Sequence, residues 1–181
     1  MGDWFQIIVD RDSTEEEAVS VGEDIVKWLI ADGIIDADMS ECLLGEDLGY
    51  PPGPDYRIAT GDGDDHWLTL MTNGMEVITG RTVFWGWGDF VLVCDKCATR
   101  FEPDEDWGDR VSEWYDRQGP GLISCPQCGH AQSVADWEFD PPWGFGNLGF
   151  QFWNWPPLEP SFIDAVTKKL GHRVVFVEGE L

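Results

Sequence analysis

Apolar positions along the chain follow two rhythms, and the switches between them mark its elements. Trp4 to Val9 (WFQIIV) is short, aromatic and β-branched, the composition of a strand. Ser13-Thr14-Glu15-Glu16 has the form of a capping box, its Ser hydroxyl and Glu carboxylate placed to satisfy free amides at a helix start. Ala18, Val21, Ile25, Trp28 and Leu29 then recur mostly every three or four residues, one apolar stripe on a helix that stops near Gly33. The glutamates at its start suit the helix dipole.

From Asp36 to Asp65 the pattern weakens. Pro51, Pro52 and Pro54 enforce an extended or turning path, and Tyr56–Ala59 has the composition of a short strand. Trp67–Met71 and Met75–Ile78 flank Thr72-Asn73-Gly74, a hairpin signal. Thr82 to Val93 is aromatic and β-branched and runs into Cys94, while Leu148–Trp153 reads as a later strand. Near the end, Ser161 is positioned as an N-cap with Asp164 reciprocating. Phe162, Ala165, Val166 and Leu170 form the buried stripe, Lys168 and Lys169 complement the carboxyl end, and Gly171 stops the helix. Arg173–Val177 is a last strand. The order predicts an α+β protein: a mostly antiparallel sheet with two main helices on one face. Residues 1–93 and 131–181 are expected to form one discontinuous domain, with 94–130 inserted as a small lobe.

That lobe is expected to hold a metal. Cys94-Asp95-Lys96-Cys97 and Cys125-Pro126-Gln127-Cys128-Gly129 are two C-x-x-C pairs. Each such turn puts two sulfurs on one side of a tight knuckle, and two knuckles together make a closed four-thiolate shell with bonds of roughly 2.3 Å. Closure leaves no position for substrate, so the site reads as structural. Between the pairs, Trp107, Val111, Trp114 and Tyr115 fall at helical spacing until Gly119-Pro120-Gly121 breaks the run. The acidic residues of this stretch, from Asp104 to Asp116, fall on the opposite side of that helix.

The C-P-x-C-G knuckle with an upstream C-x-x-C resembles the zinc-ribbon and rubredoxin-like superfamily over residues 94–130. The resemblance implies one ion, zinc before iron, held by Cys94, Cys97, Cys125 and Cys128. Ala98 stands where a glycine commonly follows the first knuckle, which fits a ribbon better than an electron-transfer rubredoxin. A lobe with so small a core is expected to unfold without its metal.

Charge narrows the function. The 11 Lys+Arg face 35 Asp+Glu, a formal net of -24. Such a surface repels phosphate backbones and anionic headgroups, so direct nucleic-acid or membrane binding is disfavoured. No apolar run approaches the ~20 residues of a membrane span, and the acidic start lacks a secretory signal. With cysteines in metal-type pairs, a reducing cytoplasm is expected. Cys42 is left over and reads as a small buried residue.

Other chemistry is thinner. Gly61-Asp62-Gly63-Asp64-Asp65-His66 invites a calcium reading but lacks the twelfth-position Glu of an EF-hand, so a solvated turn is preferred. His130 reads as exposed or supporting the metal knuckle; neither His66 nor His172 sits in a motif. Trp85 and Trp87 fall on one strand face, as would Trp153 and Trp155 if the strand ran that far, and core packing is favoured over a partner surface. The leading expectation is a non-enzymatic, zinc-stabilised acidic protein that docks a basic partner. An enzyme with an unrecognised pocket and a structural ribbon comes second, rubredoxin-like iron electron transfer third.

Overall fold

In the computed structural model, which describes residues 2–45, 47–63, 65–86 and 88–181, the apolar opening segment forms β1 (Trp4–Asp10), followed by α1 (Ala18–Ala31). The capping box sits one residue later than expected. The Thr14 amide donates to Glu17 Oε1 (3.1 Å) and the Glu17 amide to Thr14 Oγ1 (3.3 Å). Ser13 is diverted because its hydroxyl donates to the buried carboxylate of Asp10.

The middle of the chain departs from its local pattern. Tyr56–Ala59 is not a strand: it leads into a helical turn, α2 (Arg57–Thr60), whose Ala59 is fully buried in the main core and accepts the Glu159 amide (2.8 Å). No hairpin forms around Asn73. Residues Asp65–Thr69 make a 3-10 turn, and the Asn73 side-chain amide donates to the carbonyls of Leu68 and Leu70 (both 2.7 Å). The strand that follows, β2 (Met75–Phe84), pairs elsewhere.

Next come β3 (Val91–Val93), β4 (Arg100–Phe101), α3 (Trp107–Tyr115), β5 (Leu122–Ser124), β6 (Ala131–Ser133), β7 (Glu138–Asp140) and β8 (Gly144–Trp153). The cap of α4 (Pro160–Leu170) lies two residues before the expected one: Glu159 is the boundary residue and Pro160 occupies the first helical position, where its missing N–H costs nothing. β9 (Val174–Glu180) ends the fold.

Four strands form one antiparallel sheet in the order β2-β8-β1-β9. Its period-2 alternation divides two cores. Ile8, Leu148, Phe150 and Phe152 face α1 and α4, meeting Ile25, Leu29, Phe162 and Val166. Phe5, Ile7, Val9, Trp153 and Val177 face the other way, against Phe84 and Leu43. Among the described residues the chain is thus α+β, as the pattern predicts. The condition under which Trp153 and Trp155 would share a face, a strand running on to Trp155, is not met. The strand ends at Trp153, Asn154 takes φ 51°, and Trp155 turns into the helix-side core.

A further core surrounds the cysteines. Leu92, Val134, Trp137, Phe139 and Phe145 pack with Trp114, Ile123, Cys94 and Cys125, so this core draws on both sides of the 94–130 segment. Antiparallel sheets β4-β3-β7 and β5-β6 carry it. It is fastened to the main sheet by the Arg81 guanidinium of β2 over the Trp114 ring (4.0 Å), and to the turn before α1 by Arg117 paired with Glu15.

The ends of the main sheet are tied by charge. Asp10, fully buried, accepts from the amides of Asp12 (2.9 Å) and Ser13 (3.1 Å) and from His172 Nδ1 (2.8 Å). Beside it, Arg173 donates to Asp12 Oδ1 through Nε (2.9 Å) and Nη2 (2.6 Å). The hydrogen bond to Asp10, with Asp12 and Glu17 nearby, holds the His172 pKa above its ordinary value against the opposing effect of burial. A raised folded pKa stabilises the protein fully below the unfolded value near 6.5 and is lost as pH rises through the folded value. The urea midpoint is therefore expected to fall as pH rises above about 6.5, and H172N should flatten that dependence. An unchanged slope in the variant would remove His172 from the account.

Candidate metal centre

Two backbone turns of the same design present the cysteines. After β3, the Cys94 amide donates to the Thr99 carbonyl (2.9 Å) and the Ala98 amide to the Cys94 carbonyl (2.8 Å). After β5, the Cys125 amide donates to the His130 carbonyl (2.8 Å) and the Gly129 amide to the Cys125 carbonyl (3.0 Å). Both turns close on a left-handed residue, Gly129 at φ 73° and Ala98 at φ 56°. The alanine is exposed and carries a steric penalty that glycine lacks. Ala98→Gly is expected to stabilise the protein by about 0.5–1 kcal/mol, the penalty relieved less the extra entropy of an unfolded glycine. Gly129→Ala should destabilise it by about 1 kcal/mol, since no neighbour lies within 4 Å to clash and only φ is at issue. Thermal melts of the two variants should shift in opposite directions.

The four sulfurs converge. Cys94 Sγ lies 3.7 Å from Cys128 Sγ, Cys97 Sγ lies 3.6 Å from Cys125 Sγ, and all four fall within 4.8 Å of one another. A regular tetrahedron with metal–sulfur bonds of 2.3 Å has edges of about 3.8 Å, so the spacing matches a shared ion. A disulfide would need sulfurs about 2.05 Å apart, and all the cysteines are free. Cys94 and Cys125 are buried while Cys97 and Cys128 reach the surface, so the first cysteine of each turn anchors it in the core.

Without a cation Cys97 and Cys128 are pushed in opposite directions. Hydrogen bonds from the Thr99 hydroxyl and amide pull the Cys97 thiol down to about 6. The His130 amide favours a Cys128 thiolate, yet burial and the neighbouring thiols outweigh it and push that group up to about 12. A divalent ion at the centre resolves this conflict, because it stabilises every thiolate at once. The donor set suits a thiophilic ion, and four sulfurs fill a tetrahedral shell.

Around the sulfurs, His130 Nε2 lies 3.2 Å from Gln132 Oε1 and 3.4 Å from Asp95 Oδ1, linking one turn to the other. Lys96 pairs with Asp95 (2.8 Å) and Arg100 with Asp140, so both cations near the first turn are held by carboxylates.

The other candidates lie elsewhere. Cys42 is buried, packed against Gly74. Asp65 accepts from Tyr56 Oη (2.7 Å) and Arg57, and Asp62 pairs with Arg57 (3.6 Å); Asp64 lies outside the described residues. Trp85 is 53% exposed and stacks on Trp143 with centroids 5.7 Å apart, while Trp87 lies outside the described residues. The Asp10–Ser13–His172 cluster was not legible beforehand. It is not wired for nucleophilic catalysis, because Ser13 donates to the carboxylate and lies 3.4 Å from His172 Nδ1.

Among the described residues no helix is long and apolar enough to cross a membrane. Compared with known proteins, the chain matches no family model, no curated protein and no solved structure.

Proposed function

We propose that Cys94, Cys97, Cys125 and Cys128 hold one zinc ion in a ribbon-like lobe inserted at 94–130, and that the protein is a non-enzymatic docking module whose acidic surface receives a basic partner. The convergence of four sulfurs at tetrahedral spacing is the observation that carries the first half. Zinc is preferred to iron because the first knuckle departs from the resembling electron-transfer pattern at Ala98. When bound, the ion supplies cross-linking and charge; the chain's turns hold the thiolates and the surrounding core shields the inner pair.

Charge supports the second half. Lys27, Lys96, Arg57, Arg100, Arg110, Arg117 and Arg173 each sit against at least one carboxylate, so the excess of acid is left unbalanced over the rest of the surface. A field of one sign accelerates association with an oppositely charged protein and loses strength as salt screens it.

The metal assignment is tested by elemental analysis of purified protein, expected to give one zinc per chain, and by cobalt replacement, expected to give tetrathiolate charge-transfer bands. A red protein that bleaches on reduction would transfer the assignment to iron. For docking, a partner isolated from native lysate and reconstituted from pure components should associate more slowly as ionic strength rises. Failure to form any complex at low salt would count against it.

A further inference from the structure

A groove of about 630 Å³ runs between α1, the residues Met39, Leu43, Asp47, Leu48 and Tyr50, and β2. Its walls include Val19, Met39 and Leu48, each roughly half exposed, an unusual density of bare apolar side chains for so acidic a chain. Its floor is a sheet edge. β2 is the outermost strand beside β8, and among the described residues its outer side is covered only at Met75, by Tyr50 through two 2.8 Å backbone bonds. Because antiparallel strands alternate their hydrogen-bonding side, Val77 and Thr79 aim their amides and carbonyls the same way as Met75, into the groove. Both residues line it. The pairing with β8 stays regular to Thr79 and shifts only between Thr79 and Thr82. On the other wall, Gly22 brings α1 close enough that a Cβ there would lie 3.1 Å from Val77, which fixes the helix beside this edge.

We infer that this groove takes an extended basic segment of the docking partner, which adds as a short strand to the β2 edge from Val77 to Thr79 and lays its apolar residues against Val19, Met39 and Leu48. The inference rests on the docking reading above and adds where and how the partner binds. Charge identifies the occupant. Glu23, Asp47 and Glu76 line the groove; Lys27, the one cation among its described lining residues, is shared between Asp24 (3.1 Å) and Glu23 (3.7 Å), and Glu76 Oε1 accepts from Trp153 Nε1 (2.8 Å), so the lining keeps a net negative charge. In the sequence no Lys or Arg occurs between Lys27 and Arg57, whereas Asp32, Asp36, Asp38, Glu41, Glu46 and Asp47 do. A second copy of this chain would bring a like charge of -24 to the same edge, so self-pairing is opposed. A strand alternating apolar and cationic residues meets all three demands: edge amides for its backbone, apolar walls for one face, carboxylates for the other.

The probe is a fluorescein-labelled, end-capped octapeptide of alternating valine and lysine. It is compared with a peptide of the same composition arranged as two blocks and with a fully N-methylated version. Anisotropy at low salt is expected to show the alternating peptide binding at least tenfold more tightly than either, with amide exchange slowed at Val77 and Thr79. Leu48→Ser, which changes no charge, and Thr79→Pro, which removes one outward amide at an edge position that tolerates proline, should each weaken it at least tenfold. Equal binding of block and alternating peptides, unaffected by either variant, would overturn the groove while leaving acidic docking intact. Failure of every peptide to bind at low salt would overturn both.

Discussion

If the four cysteines hold zinc as proposed, stripping it from the purified protein with a high-affinity chelator is expected to melt the region built on the cysteines, red-shifting emission from Trp107, Trp114, Trp137 and Trp143. The magnitude follows from comparing terms. Structural tetrathiolate or mixed zinc sites contribute about 10–16 kcal/mol of apparent binding energy in small domains, whereas a whole domain's stability is only about 5–15 kcal/mol. The cysteine-side core contains Leu92, Ile123, Val134, Phe139 and a few aromatic rings, and two of its buried members are Cys94 and Cys125 of the cluster itself. Without the ion nothing else in this small core would tie the two turns together at their sulfurs. Cys125→Ser should abolish stoichiometric zinc and lower the melting temperature as chelation does. Cys42→Ser, at a cysteine outside the cluster, should leave the zinc content untouched. A protein that keeps its amide protection over residues 91–140 when metal-free would refute the structural role. The same experiment locates the boundary of the lobe: protection lost in 94–130 alone would favour a self-contained insertion, whereas loss through Trp137 and Phe139 would place the edge of the unit further along the chain.

The cysteine turns were legible because their information is local. Two residues between sulfurs fix a knuckle, and nothing distant has to be known to read it; only the meeting of the two turns is a long-range event, and the closed shell of sulfurs presupposes it. The strand at Trp4 and the stripe on α1 were legible for the same reason, since periodicity is set by backbone geometry. What the pattern missed was decided by partners far along the chain. Ser13 has the sequence context of a cap, yet Asp10 takes its hydroxyl and His172 completes that cluster from 159 positions away. Asn73-Gly74 has the chemistry of a hairpin, yet the Asn73 carbonyl accepts Trp155 Nε1 (2.9 Å) and its side chain closes the preceding turn. The sheet edge in the groove was equally hidden: alternation reveals a strand but not whether its outer side has a neighbour.

Asn154 gives the sharpest test of this long-range ordering, and Asn154→Ala is expected to destabilise the protein by about 3–4 kcal/mol without altering its zinc content. The residue is fully buried at φ 51°. Its Oδ1 accepts the Trp4 amide (3.0 Å), and its Nδ2 donates to Asp3 Oδ1 (2.7 Å), the Thr72 carbonyl (2.6 Å) and Thr72 Oγ1 (2.8 Å). One side chain thus joins the start of β1, the turn before β2 and the end of β8. Alanine leaves the Trp4 amide and the Thr72 carbonyl without partners, at about 1–3 kcal/mol each for fully buried groups and nearer the low end for these partly buried ones. It also imposes a left-handed backbone costing about 1–2 kcal/mol. Asn154→Gly separates the two contributions: it loses the same hydrogen bonds but not the backbone term, and should be about 1 kcal/mol less damaging than alanine. Asn154→Asp keeps the acceptor for Trp4 while setting a second carboxylate against Asp3, so it should be more damaging than glycine and should recover as pH falls and the pair protonates. Urea unfolding of the three variants orders these effects. An alanine variant within about 1 kcal/mol of the parent would mean that the junction is held by Trp155 and Gln6, whose own bonds tie the same segment, rather than by Asn154.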